Sequence, residues 1–195
     1  MIEKLSEPGF DMKKLSIHDK MELVRESDGL LIDVFEGETV SGDLTLWSRD
    51  PITHLPKGLK ITGDLDLQGC SSLTHLPDDL SVGRNILLAN CTSLTHLPNN
   101  LKVRGHLDLH LCTSLVCLPE NLEVGSWLDL ANCTSLTSLP RGLKVKTHLW
   151  VEGCTSLTHL PDDLEVGDAL HCYDCNSLKN VPENIEIDWF KNRNI

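Results

Sequence analysis

A proline returns every 21 residues, at Pro56, Pro77, Pro98, Pro119, Pro140, Pro161 and Pro182, without one insertion. Cysteine keeps the same step at Cys70, Cys91, Cys112, Cys133, Cys154 and Cys175. Together they divide the chain into seven units: 42–62, 63–83, 84–104, 105–125, 126–146, 147–167 and 168–188. A fixed short period means a solenoid, in which each unit buries its apolar face only against its neighbours. With 195 residues, 40% of them hydrophobic, the chain has enough apolar material for one such domain.

The apolar residues share this register. Positions 3, 5, 8, 11, 14, 18 and 20 of the units are apolar in 48 of 49 cases, Arg49 being the exception, so the core is specified rung by rung. Positions 3 and 5 point inward and 2, 4 and 6 outward, the period-2 signature of a strand with one buried face. One short strand per unit, stacked on the next, predicts a parallel sheet along one side of the coil. The Leu-Pro step at positions 14 and 15 fixes φ and removes a donor, so the opposite wall is expected to be extended or polyproline-like. No unit has room for a three-turn helix.

The segment LDLQGCSSLTHLP (65–77) resembles the L-x-L-x-x-C-x-x-L-x-x-L-P half-repeat of leucine-rich-repeat proteins, as found in plant disease-resistance proteins. The remainder, P-x-x-L-x-V, is similar to the short repeats of bacterial secreted effectors. The resemblance covers about three quarters of the chain. It implies a horseshoe of the α/β class, mostly parallel β with an extended convex side, and a binding role that could belong to a bacterial effector. The family usually carries an apolar residue three positions before the first strand leucine. Here Val or Ile stands four before it, so the convex side departs from the family pattern. Effectors of this type sometimes end in a ubiquitin-ligase domain; with seven residues after the last repeat, that activity is not carried over.

Residues 1–41 do not repeat and are expected to cap the open core. SIHDKMELVRESDG reads as a helix over about 16–28, with Ser16 as N-cap and Gly29 after its end. LLIDVF (30–35) reads as a strand or turn against the first rung. At the far end Ile185, Ile187, Trp189 and Phe190 are expected to close the core, with 189–195 as C-terminal cap and tail. The six repeated cysteines occupy one inward position and are expected to be reduced and buried, which indicates a reducing compartment. Cys172-x-x-Cys175 falls on two core positions rather than forming a redox motif, and Cys117, at variable position 13, is the thiol expected to be exposed.

Function is expected where the fold does not dictate the residue, on the concave positions 2, 4 and 6. None of these 21 positions is Lys or Arg, and three of the four tryptophans and the single tyrosine fall there. Trp127, Trp150 and Tyr173 take positions 2, 4 and 6 of consecutive units, a diagonal stripe with neighbours ~8 Å apart. Asp108, Asp129 and Glu152 flank it, with His106, His148 and His171 interspersed; Asp64, Asp66 and Trp47 extend the face toward the N-terminus. Aromatic rings beside carboxylates suit Arg and Lys, so the expected partner is a protein with a basic surface. His54, His75, His96 and His159 recur at position 13 within THLP and read as a repeated surface feature with a mild pH response.

Two other classes fit some of the same residues. The acidic face suits an inhibitor that occupies the nucleic-acid site of its target. His106, Asp108, His110 and Asp129 could form a metal-dependent catalytic cluster, although ~6.6 Å between alternate strand positions is wide for one ion. No phosphate loop, nucleophile elbow or zinc-protease motif is present, so no enzyme activity and no cofactor are expected. A net charge of -12 disfavours direct nucleic-acid binding. The lack of a long apolar run and of a signal-peptide core predicts no membrane contact, a cytoplasmic monomer, and a non-Sec route if exported to a host cytosol.

Overall fold

The computed structural model describes residues 11–27, 31–46, 52–179, 181–182 and 185, and along them the chain winds into a parallel β-solenoid of about six turns. Positions 3 and 4 of each unit form a strand, from Leu44–Thr45 through Leu65–Asp66, Ile86–Leu87, Leu107–Asp108, Leu128–Asp129 and Leu149–Trp150 to Leu170–His171. These seven strands make one sheet in chain order, and each residue faces its counterpart 21 further on, as Leu65 faces Ile86. The amides of Leu65 and Leu67 donate to the carbonyls of Asn85 and Leu87, each at 2.9 Å. Alternation divides the side chains: Leu65, Leu107, Leu128 and Leu149 are fully buried, and the residue after each is half-buried.

The periodicity predicts one strand per unit; the chain has two in most units. Lys60–Ile61 pairs with Thr39–Val40 on one side and Ser81–Val82 on the other in one three-stranded sheet, and Glu123–Val124, Lys144–Val145 and Glu165–Val166 form another. The signal was the alternation in L-x-V at positions 18–20, too short to stand out beside the main strand. Because Thr39–Val40 already pairs with Lys60–Ile61, coiling starts before residue 42, inside the predicted cap. Gly37 (φ 69°) and Gly58 (φ 73°) occupy the same place in successive turns.

Ahead of that half-turn lies the helix Ile17–Glu26, with the N-cap where the sequence puts it. The Ser16 hydroxyl accepts from the Asp19 amide at 3.1 Å and the Asp19 carboxylate accepts from the Ser16 amide at 3.2 Å, a reciprocal capping box. Leu23 and Val24 bury themselves, and Lys20, 2% exposed, is held by an ion pair with Glu38. Of the predicted strand or turn at 30–35, Ile32–Phe35 is a 3-10 turn that buries Ile32 and Phe35. Gly29, Arg49, Ile187, Trp189 and Phe190 fall outside the described residues, while Ile185 is buried. Among the described residues no helix is long and apolar enough to cross a membrane.

The repeated cysteines close each turn from within. Each thiol donates to the carbonyl of a strand residue one coil earlier: Cys91 to Leu67 and Cys112 to Leu88 at 3.2 Å, Cys154 to Leu130 at 3.1 Å. A small sulfur donor thus adds a second hydrogen bond to a buried carbonyl that already accepts from an amide of its own turn, as Leu67 does from Cys70 at 3.0 Å. Burial pushes the Cys172 thiol up to about 11 and those of Cys112, Cys154 and Cys175 to about 12, so they stay protonated. Seven of the eight cysteines are buried and Cys117 alone is exposed. A thiol-specific reagent should therefore titrate one cysteine quickly in the native protein and all eight after unfolding; several fast-reacting native thiols would contradict the ladder.

Position 7, the turn after the main strand, has positive φ in every described coil that reaches it: Gly69, Asn90, Leu111, Asn132, Gly153 and Asp174. Glycine, asparagine and aspartate tolerate that conformation, but Leu111 (φ 62°) does not and adopts it because its neighbours hold it there. Replacing Leu111→Asn should stabilise the protein by about 1 kcal/mol. Urea unfolding would measure it, and a destabilisation would show that the leucine side chain contributes more than its backbone costs.

Candidate functional site

The outward face of the seven-stranded sheet carries the predicted residues, and its two ends differ. At the C-terminal end the rings assemble into one array. His106 lies flat on Trp127, with ring centroids 4.2 Å apart and planes 6° from parallel. Trp127 meets Trp150 edge to face at 5.8 Å. Trp150 stacks on His171 at 5.0 Å, and His148 leans against both Trp150 (5.3 Å) and His171 (5.5 Å). Register explains the pairing: Trp150 and His171 are partners on adjacent strands, so their rings are one rung apart.

This differs from the expected diagonal. Beyond Trp150 the array continues through His171 at position 4, not Tyr173 at position 6, and among the described residues no ring contact reaches Tyr173, which is 39% exposed. His171 is only 9% exposed, so it supports the array from beneath. Trp127 and Trp150 remain half-buried, each with one face given to an imidazole. A cation therefore finds one face of each indole already taken, and the positive ring edges offer it no substitute. Trp47 lies outside the described residues.

The carboxylates of the face are less free than expected, because the backbone uses them. At position 2, the Asp43 carboxylate accepts from the Asp64 amide (2.8 Å), Asp64 from the Asn85 amide (3.1 Å), and the Asn85 side-chain oxygen from the His106 amide (3.0 Å). At position 4, Asp66, Asp108 and Asp129 each accept from the amide two residues on, at 3.1, 3.0 and 2.8 Å. These are Asx turns repeated by the coil. The clue in the sequence was the recurrence of Asp and Asn at these positions, which a purely outward assignment passes over.

A basic residue also reaches the face. Arg84, at position 1, bridges Asp43 (2.8 Å) and Asp64 (3.2 Å), so although positions 2, 4 and 6 lack Lys and Arg, the N-terminal end is cross-linked by a guanidinium. The Asp64 amide and Arg84 together hold the Asp43 carboxyl below its ordinary range. Asp64 is thus corrected from a steering charge to a paired one. Toward the other end, burial raises the Asp129 carboxyl, with the charges of Asp108 and Glu152 adding to it. Asp108, Asp129 and Glu152 thus lie close enough to repel one another, and Asp129 is the strand partner of Trp150.

The proposed metal cluster does not form. Among the described residues, no group of three or more His, Cys, Asp or Glu side chains converges so as to hold an ion, and His106 is engaged with Trp127. The THLP histidines form a separate row. Thr74 and Thr95 each donate the hydroxyl to the preceding coil's threonine carbonyl and meet the imidazole Nδ1 of the next residue at 2.9 Å. His75 and His96 lie parallel at 6.4 Å. Comparison with known protein families finds no family that matches the chain, and comparison with curated proteins finds no match either.

Burial lowers the His106 imidazole below its ordinary 6.5, against the opposing pull of Asp64 and Asp108. A depressed folded value means that stability from this group is complete above 6.5 and lost as pH falls through the lowered value. Since Trp127 covers the ring, Trp127→Ala should move the His106 titration midpoint, followed by NMR, back toward 6.5. An unchanged midpoint would mean that the indole does not provide the cover.

Proposed function

We propose that the chain is a leucine-rich-repeat protein of the short bacterial effector type and acts as a non-enzymatic binding module. The L-x-L-x-x-C-x-x-L-x-x-L-P segment, repeated at a 21-residue step in a parallel solenoid, supports the family. The partner docks on the outward face of the seven-stranded sheet, at its C-terminal end, and presents a basic surface. One observation carries this: a five-ring array of Trp and His, two of its indoles half-buried in water, beside Asp108, Asp129 and Glu152. Leucine at the inward positions already closes the core, so large rings outside it have a solubility cost and no need in folding.

Trp127, Trp150 and Tyr173 supply the apolar anchor, and His106, His148 and His171 hold the indoles in place. The carboxylate oxygens not used by the backbone attract the partner's Arg and Lys, which makes association salt-dependent. Asp66 has the same Asx arrangement as Asp108 and contributes at the margin, whereas Asp64 is occupied by Arg84. The buried, protonated thiols suit a reducing compartment.

The test compares immobilised wild type with a Trp127→Ala/Trp150→Ala variant that keeps the wild-type circular dichroism spectrum. Proteins retained by wild type and released by salt should be retained at least about tenfold less by the variant. Equal retention of the same proteins would overturn the assignment of the site.

A further inference from the structure

The other long face of the solenoid, made by positions 16–21, has a charge pattern of double period. Its six central rungs, in order, are 57–62, 78–83, 99–104, 120–125, 141–146 and 162–167. The third carries Lys102 and Arg104 and the fourth Glu120 and Glu123. The fifth carries Arg141, Lys144 and Lys146, and the sixth Asp162, Asp163 and Glu165. The first two repeat the alternation with Lys57 and Lys60 against Asp78 and Asp79. Each of these six rungs is of one sign, their signs alternate, and they carry seven basic and seven acidic side chains; Glu36 and Glu38 in the preceding half-turn continue the alternation, whereas the sequence 183–188, with Glu183, Glu186 and Asp188, repeats the acidic sign of 162–167. In a chain of net charge -12, these six rungs are neutral.

The backbone alternates with the charges. Glycine ends the acidic rungs at Gly83, Gly125 and Gly167, where a Cβ would strike the carbonyl oxygen of Thr62, Arg104 or Lys146 in the basic rung before it. Strand pairing puts Lys144 between Glu123 and Glu165. Yet among the described residues only Lys144–Glu165, at 3.2 Å, closes an ion pair within this face; Asp79 and Asp163 accept from the Gly58 and Gly142 amides, and the other charges are left to a partner. A cleft of about 1110 Å³ runs over it, across the rungs from Asn99 to Gly167 and on to Ile185.

We propose that this face docks a second copy of the same chain, antiparallel, about a two-fold axis between the third and fourth rungs. The geometry requires a partner whose charges alternate at the rung spacing of ~4.8 Å, and another copy has that spacing by construction. A two-fold at that point sets first rung against sixth, second against fifth and third against fourth, each pair of opposite sign, and only the flanking acidic segments 36–41 and 183–188 are set against a like charge. A parallel arrangement in the same register would oppose like charges throughout. Such an interface is isologous and closes at the dimer. Long basic side chains of one copy enter the cleft of the other beside its acidic rungs. The face measures roughly 24 by 20 Å, so the contact buries about 1,000 Å² in total, the lower edge for a specific interface. The dimer is accordingly weak and salt-sensitive, in place of the monomer that the sequence suggests, and it leaves the aromatic face unobstructed.

Sedimentation velocity with wild type and two charge-reversed variants, Lys102→Glu/Arg104→Glu and Glu120→Lys/Glu123→Lys, tests this. Wild type should dimerise at about 100 µM protein, with a dissociation constant at least about tenfold weaker at about 500 mM than at about 20 mM salt. Each variant alone should be monomeric, because the two-fold then opposes like charges. Mixed in equal amounts, they should form a heterodimer. A wild type that is monomeric at low salt, or variants whose mixture stays monomeric, would overturn the proposal and leave the charges as a ladder within one copy. The wild-type salt series decides the matter even if a variant fails to fold.

Discussion

Parallel in-register stacking sets each side chain on its own equivalent, about 4.8 Å away along the coil. For leucine this is favourable, since identical apolar residues fill a continuous core, as Leu65, Leu107, Leu128 and Leu149 do with no exposed surface. For charge it is unfavourable, because any ionised position that repeats meets itself. Much of this protein's surface is explained by how it meets that constraint. Asp43 and Asp64 share Arg84 and feed their carboxylates into the next rung's amides. Asp108 and Asp129 occupy adjacent rungs and accept from amides two residues on, yet burial and mutual repulsion still raise Asp129. On the face made by positions 16–21, basic and acidic rungs alternate from 57–62 to 162–167.

The core was legible in the residues because a period of 21 repeats one inward set of positions, and the thiol ladder, the N-cap at Ser16 and the exposure of Cys117 followed from the same register. What the pattern could not provide was contact between rungs. His171 looks like any other outward residue in the sequence, but a ring one rung away covers it. Arg84 lies at a position counted as turn, and its length carries it to two carboxylates. The second set of strands was hidden because two alternating residues are too few to distinguish from a loop. Leu111 looked like another apolar residue, whereas its backbone angle places it in a turn built for glycine or asparagine.

Two faces with different chemistry thus emerge from one repeat. The seven-stranded sheet concentrates rings and unneutralised carboxylates at its C-terminal end, away from the Arg84 cross-link, and this asymmetry localises the proposed partner site. The central rungs of the face made by positions 16–21 are neutral and periodic, suited to a surface with the same period. A solenoid can keep the two separate because its turns are locally independent and the positions on one wall vary without disturbing the other.

The account depends most on the claim that outward carboxylates are part of the coil's hydrogen-bonding scheme rather than free surface charge. Amide hydrogen exchange tests this most directly. The amides of Asp64, Asn85 and His106 have side-chain oxygens from the preceding rung as acceptors. They should exchange slowly, with protection approaching that of the neighbouring Leu65, Ile86 and Leu107 amides in the sheet, and Asp43→Ala should release Asp64 alone. Exchange of all three at the rate of an unstructured chain would contradict the account, because the face would then be a loose acidic surface on an otherwise ordered core.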